Sequence, residues 1–275
     1  WLVQRHGNDP LEADAVVIAT GGLSVPHTGS DGGGIRIAAQ LGHAINTTYA
    51  ALTPLTRVKE PRSEFQQLSG ISLPVTVTAQ SERHRAEADG GLLFTHQGYS
   101  GPAILDISHV AVRSLMDGAI PATISVRWSR VTEGEWENCL RPKGAQTVLA
   151  AVSAELPRRL AALLLARAHV EPDRQLSQLG RAERLRLIEL LVRTHLPWSG
   201  DEGYKKAEVT GGGVNLAEVD PKTMESRRHR GLFLCGEMLD AFGPIGGYNF
   251  LWAWATGRAA GLGAAMYVVS GFRLR

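Results

Sequence analysis

Disulfide chemistry has little to work with in this chain, because its 275 residues hold only two cysteines, Cys139 and Cys235, in unrelated contexts. That excludes a cystine framework and sets the expectation of a reducing compartment, with the cytoplasm as default. Charge of one sign is equally scarce. A formal net charge of +2 gives no electrostatic case for nucleic acid or an anionic membrane surface, so neither is expected as a partner. Arg227-Arg228-His229-Arg230 is a run short enough to read as a solvated loop. The histidines at 6, 27, 43, 84, 96, 109, 169, 195 and 229 show neither H-x-x-x-H nor Cys/His spacing, so no metal site is expected. No basic region followed by an apolar stretch opens the chain, and no secretory leader is expected. The most apolar stretch, Phe250 to Val269, is interrupted by Arg258, Gly257, Gly261 and Gly263, which predicts a buried helix rather than a membrane span. Internal repeats and low-complexity tracts are also lacking. What remains is 44% hydrophobic and 20% charged, an ordinary globular composition long enough for one large domain or two ordinary ones.

The apolar pattern divides the chain. Ala15 to Ala19 (AVVIA) reads as a short buried strand, followed by Thr20-Gly21-Gly22 and the glycine-rich turn Gly29 to Gly34. Asp31 is the expected N-cap of a helix carrying Ile35, Ala38 and Leu41, and Gly42 its stop. From Leu52 to Arg130 strand-like runs alternate with polar turns: Leu73 to Thr78, Leu92 to Thr95 and Ala122 to Trp128. Between Gln146 and His195 the period is helical, with stripes at Leu160, Leu163, Leu164 and at Leu185, Ile188, Leu191, Val192. Gly231 to Cys235 is a second buried strand, and a last helix starts near Tyr248.

Chemistry concentrates in GEMLDAFGPIGGYNFLWAWATG, Gly236 to Gly257. A strand followed by Gly-Glu and a Gly-Gly turn into a helix puts a carboxylate at the strand's carboxyl edge, where open α/β sheets bind ligands. The first N–H groups of that helix lack partners and face whatever lies there. A carboxylate accepts hydrogen bonds from sugar-alcohol hydroxyls, and a positive helix end stabilises negative charge on a ring. Both match a flavin's needs, at its ribityl chain and at the N1–C2=O edge. The plainer alternative is a tight turn with Glu237 as a surface or capping residue.

Five stretches carry a resemblance: Ala15 to Gly22 (AVVIATGG), Thr28 to His43 (TGSDGGGIRIAAQLGH), Leu92 to Pro102 (LLFTHQGYSGP), Glu208 to Glu225 (EVTGGGVNLAEVDPKTME) and Gly231 to Gly257. In that order they resemble the YhiN-type bacterial FAD-dependent oxidoreductases, which include aminoacetone oxidase-like and 3-dehydro-bile acid reductase-like flavoproteins. The resemblance implies FAD as cofactor, with Thr20, Gly21 and Gly22 lying against the dinucleotide. It implies that Gly236-Glu237 supplies the ribityl-binding carboxylate, with Asp240 as a second candidate, and that Gly246, Gly247, Tyr248 and Asn249 meet the isoalloxazine ring. Members of that family open with a G-x-G-x-x-G turn between strand and helix. This chain has no such spacing, since neither Gly32-Gly33-Gly34 nor Gly211-Gly212-Gly213 fits it. The expectation is therefore that residue 1 falls inside the family's fold and that the pyrophosphate cradle is lacking.

Gly98-Tyr99-Ser100-Gly101 offers a rival, a nucleophile elbow with His96 as base. The rival fails at its last glycine, where Pro102 stands, and no helix is legible after the serine. Within the flavoprotein resemblance, His96 and Ser100 are instead the candidate catalytic or substrate-contacting residues.

The expected fold class is α/β: a discontinuous FAD-binding Rossmann-like domain (1–50 and 230–275), an inserted β unit (51–145 and 200–229) and a helical subdomain (146–199). The expected activity is hydride transfer between flavin and a small organic substrate lodged between the FAD domain and the insertion. NAD(P)H is a candidate reductant and oxygen an equal candidate acceptor.

Overall fold

A computed structural model describes residues 1–5, 7–58, 64–116, 118 and 120–272. The chain forms two compact units, Trp1–Leu52 with Gly203–Arg275, and Thr53–Glu202. His6, one of the histidines considered above, lies outside the described residues. In chain order the elements are β1 (Leu2–Arg5), β2 (Asn8–Glu12), β3 (Val16–Ile18), α1 (Gly33–Gln40), β4 (Ile45–Ala51), β5 (Leu55–Thr56), β6 (Ser72–Gln80), β7 (Arg85–Phe94), β8 (Gly98–Ser100) and α2 (Pro102–Met116). There follow β9 (Thr123–Arg127), α3 (Glu133–Cys139), α4 (Val148–Ser153), α5 (Arg158–Arg167), α6 (Arg181–Val192), β10 (Thr194–His195), β11 (Gly200–Asp201), β12 (Val209–Val214), β13 (Leu232–Leu234) and α7 (Tyr248–Phe272).

In the first unit β3 and β13 pair in parallel, Leu232 opposite Val16 and Leu234 opposite Ile18. The two expected buried strands therefore meet. β12 pairs antiparallel with β4, from Val209 opposite Ala51 to Val214 opposite Ile45, while β1 and β2 form a hairpin. Ile18, Ile35, Ala38, Phe233, Leu234, Met238 and Ala260 share one core. Asp31 sits one residue before the place expected for it. Gly32 is the N-cap of α1, and the Asp31 carboxylate accepts from the Gly33 amide at 2.8 Å.

Two expectations change here. Residues 203–229 fold with the first unit rather than with the inserted β unit, because β12 completes its ladder on β4 and Val214, Val219 and Met224 enter the core of Ile18 and Phe233. The last helix is buried on one side only. α7 packs on β3 and β13, but Phe250, Trp254 and Met266 are 68%, 71% and 69% exposed. Among the described residues no helix is long and apolar enough to cross a membrane.

The second unit holds an antiparallel sheet in the order β10-β9-β6-β7-β8-β5-β11. Alternate residues of β6, Leu73, Val75, Val77 and Ala79, turn inward, as a half-buried strand requires. α2 packs on β6 and β7. It was not expected, although Asp106, His109 and Arg113 recur at helical spacing along its half-buried face, because its run of Ile104, Leu105, Ile107, Val110, Ala111 and Val112 is rich in residues that favour strands. Leu160, Leu164, Leu187, Ile188 and Leu191 share one core with Val77, Phe94 and Trp128. Residues 146–199 are thus part of this unit rather than a subdomain of their own.

A buried polar cluster ties segments of the first unit together. The His43 ring, wholly buried, lies 3.0 Å through Nδ1 from Glu218 Oε2 and 3.1 Å through Nε2 from Ser226 Oγ. Glu218 also accepts from the Ala44 amide and from Arg228, and the His229 ring stands 5.9 Å from that of His43. Burial pushes the His43 imidazole below its ordinary value, outweighing the pull of Glu218, while His229 and Arg228 push the same way. The Arg228 hydrogen bond, helped by the Ala44 amide and His43, lowers Glu218 from 4.5 to about 2. Both groups bind protons more weakly folded than unfolded, so their stabilisation is present above the unfolded values and is lost as pH falls. The urea midpoint should therefore drop between pH 7 and pH 5 through His43, and further below about pH 4.5 through Glu218. His43→Gln should flatten the first drop and keep the second; equal pH 7 to pH 5 slopes in both proteins would count against this assignment.

Candidate functional site

β13 delivers the chain into a turn of 3-10 helix, Gly236–Met238, and Glu237 becomes the meeting point of three segments. Its Oε1 accepts from the Ser24 hydroxyl, from the Thr210 amide at 2.9 Å and from the Thr210 hydroxyl at 2.8 Å. The other carboxylate oxygen, Oε2, has no partner among the described residues. Gly22 passes so close that a Cβ there would lie 2.5 Å from Thr210 Oγ1 and 2.7 Å from Glu237 Oε1. Only glycine lets the Thr20-Gly21-Gly22 segment reach the carboxylate.

Glu237 stands on the wall of a cleft of about 670 Å³, within the range that holds cofactors. Gly21, Val25, Val209, Cys235, Ile245 and Phe250 are among its other lining residues, together with Trp252 and Trp254. Its character is apolar, and burial pushes the Cys235 thiol up. One wall is the start of α7. The first helical hydrogen bond there is Leu251 N to Gly247 O at 3.0 Å, so the amides of Tyr248, Asn249 and Phe250 lack partners among the described residues, as at any uncapped helix start. The helix is fixed in place by Trp252, whose Nε1 donates to Gly236 O at 3.2 Å, and by Thr256, whose hydroxyl accepts from the Gly236 amide at 2.9 Å. Gly246 and Gly247 adopt φ of 115° and 95°, a left-handed turn that a side chain would strain.

Of the residues expected from the sequence, Gly21, Gly236, Glu237, Gly246, Gly247 and Asn249 line this one cleft. The Asn249 side chain is occupied with Gly243, donating to its carbonyl and accepting from its amide. Gly22 abuts Glu237 without lining the cleft. Thr20 does not line it either; its hydroxyl accepts from the Gly34 amide at 3.1 Å in the first turn of α1. Asp240 lies outside the lining set and accepts from Asn46 on β4. Tyr248 also lies outside it and is exposed. Ser24 and Thr210 had no site role in the sequence reading. Thr210 falls inside the stretch Glu208 to Glu225 and Ser24 between Gly22 and Thr28, and nothing in linear spacing joins either to Glu237.

His96 and Ser100 belong to the second unit and are not cleft residues. The His96 ring lies 3.2 Å from Ser69 Oγ, and no hydrogen bond joins it to Ser100 among the described residues. α2 does begin directly after Gly101, contrary to expectation. Among the described residues no hydrogen bond joins the serine side chain to a base, and the neighbouring Tyr99 is a core residue whose hydroxyl donates to Pro197 O at 3.0 Å. That removes the geometry a nucleophile elbow needs. Among the described residues no group of three or more His, Cys, Asp or Glu is placed to hold a metal ion.

Residues 1–263 match the family described as the HI0933-like protein Rossmann domain. The chain is 37% identical over 250 residues to the ribosomal RNA dihydrouridine synthase of Escherichia coli (strain K12), covering 88% of this chain and 58% of that protein. It is 35% identical over 249 residues to the protein of the same name in Haemophilus influenzae, covering 90% and 59%. To the 3-dehydro-bile acid delta(4,6)-reductase of Clostridium scindens it is 33% identical over 272 residues, covering 96% and 65%. The chain thus spans about three fifths of the length of these curated relatives.

Proposed function

The chain belongs to the HI0933-like Rossmann-domain family, and from that premise we propose an FAD-dependent oxidoreductase that passes a hydride between flavin and an organic substrate. The observation that carries this reading is the pairing of a carboxylate, one oxygen held internally and the other open, with an uncapped helix start across an apolar cleft. The residues fit the cofactor. Glu237 Oε2 would accept from ribityl hydroxyls, and the free amides of α7 would stabilise negative charge on the ring. Gly246 and Gly247 leave room for a flat ring, since Gly247 has no atom within 4 Å of where a Cβ would stand. Phe250, Trp252, Ile245 and Val25 would keep water from it. Bound flavin would supply hydride exchange at its N5.

The relatives' names narrow the substrate. Making dihydrouridine saturates the pyrimidine C=C bond, and a delta(4,6)-reductase acting on a 3-dehydro steroid saturates C=C bonds conjugated with a ketone. Both add a hydride and a proton across a C=C bond conjugated with a carbonyl, and we propose that unit as the substrate class. The near-neutral charge supports a small-molecule carrier with no nucleic-acid or membrane partner; uridine reduction in ribosomal RNA by this protein would overturn that part. NAD(P)H as reductant and a cytoplasmic location belong to the same proposal.

A second reading rests on the lack of any G-x-G-x-x-G spacing in the 275 residues: without a pyrophosphate cradle this polypeptide holds no FAD by itself. Titration with FAD decides. Quenched flavin fluorescence and a yellow protein bleached by dithionite are expected; a protein that stays colourless overturns the first reading for this chain and establishes the second.

A further inference from the structure

We propose that Thr210 and Ser24 are positioning residues that make Glu237 a one-sided acceptor, saturating Oε1 from within the protein so that Oε2 alone meets a ligand hydroxyl. The proposal rests on the reading of the cleft as a flavin site and goes beyond it by saying what orients the carboxylate.

The argument is an accounting of protons and lone pairs. A threonine hydroxyl has one proton and two lone pairs. The Thr210 hydroxyl accepts from the Leu23 amide at 2.7 Å and the Ser24 amide at 3.2 Å, which uses both lone pairs. Its proton therefore points to Glu237 Oε1, 2.8 Å away. The Thr210 amide and the Ser24 hydroxyl also donate to that oxygen, giving three donors on one carboxylate oxygen. The carboxylate cannot swap its oxygens without leaving those donors unpaired, and unpaired buried donors are costly. Thr210 reaches in from β12, and Ser24 from the segment that follows Gly22. The same hydroxyl thus ties the backbone after the Thr20-Gly21-Gly22 turn to the acid at the end of β13.

A consequence concerns polarity. In Glu237→Gln the three donors would hold the amide oxygen inward and turn the NH₂ group toward the cleft, replacing an acceptor by a donor. A ligand hydroxyl could still accept from that NH₂, so the expected loss is that of a charge-assisted hydrogen bond exchanged for a neutral one of reversed direction.

The test is a double-mutant cycle on FAD affinity, read by flavin fluorescence quenching with the full chain, alongside thermal melting. Glu237→Gln is expected to weaken FAD by about thirtyfold or more, and Thr210→Val by about tenfold, the scale of a hydrogen bond involving a charged group. Thr210→Ser, which keeps the hydroxyl, should restore affinity to within about threefold. In the Glu237→Gln background Thr210→Val should cost less than about twofold more, because what Thr210 then holds toward the cleft is an NH₂ group and no longer the charged acceptor that the ligand needs. Ser24→Ala, run through the same cycle, serves if Thr210→Val melts early. Glu237→Gln without effect would refute the flavin reading itself. Weakening by Glu237→Gln with no effect of Thr210→Val, or with penalties that multiply in full, would leave that reading intact and refute the positioning role.

Discussion

Gly22→Ala is expected to cost about 2 kcal/mol of folding stability and to weaken FAD by at least about tenfold, although it adds one methyl group. At a site with room, glycine to alanine stabilises by about 0.4–1 kcal/mol, because the unfolded chain loses freedom. Here the new Cβ would stand 2.5 Å from Thr210 Oγ1, 2.7 Å from Glu237 Oε1 and 2.9 Å from Thr210 Cβ. Neither side chain has anywhere to go, since each holds the other in place. Overpacking of this kind costs about 1–3 kcal/mol or more and overrides the entropic gain. Urea unfolding gives the stability and FAD titration the affinity. An unchanged or raised midpoint would show that the three segments do not close on one another as described.

Trp128→Ala should be larger still in stability, at about 4 kcal/mol, the range for deleting a buried indole. Trp128 is 1% exposed, stacks on Phe94 with ring centroids 5.9 Å apart, and donates through Nε1 to Thr194 Oγ1 at 2.8 Å. Domains commonly have only about 5–15 kcal/mol to lose, so the melting temperature of the Thr53–Glu202 unit should fall by about 10 °C. Trp254→Ala is the control. That tryptophan is 71% exposed, and its removal should change stability by less than about 0.5 kcal/mol. Circular dichroism melts of both variants make the comparison, and similar melting points would contradict the core assigned to the second unit.

How much of this was legible beforehand varies with the physics of each element. The sequence Leu232-Phe233-Leu234 followed by Gly-Glu and Gly-Gly announces strand, turn and helix locally, and α7 begins at Tyr248 as expected. That this run and Ala15 to Ala19 belong to one domain was expected, whereas their parallel pairing is seen only in the structure. Asp240 misled because it is close to Glu237 along the chain, whereas the 3-10 turn at Gly236 and the Asp240 amide bond to Val214 O direct it toward Asn46. α2 was hidden because its β-branched run favours strands and outweighs the narrow polar stripe of Asp106, His109 and Arg113 that marks the helical period. Ser24 and Thr210 were hidden for a different reason. Their role depends on which lone pairs their neighbours occupy, and that exists only once three remote segments have met.

The topology has a consequence for synthesis. β3 can find β13 only after more than two hundred further residues have been added, whereas Thr53–Glu202 carries its own core. That stretch is free to fold as it leaves the ribosome, as such units generally do. Its first and last strands, β5 and β11, lie side by side, so its folding pins together the two points from which the outer segments continue. The loop still to be closed is then several times shorter, easing closure by about 1 kcal/mol. The acid, its two clamps and the aromatic wall of α7 thus first coexist only once the chain has been made through Trp254, and a nascent chain stalled before Gly236 lacks the acid altogether.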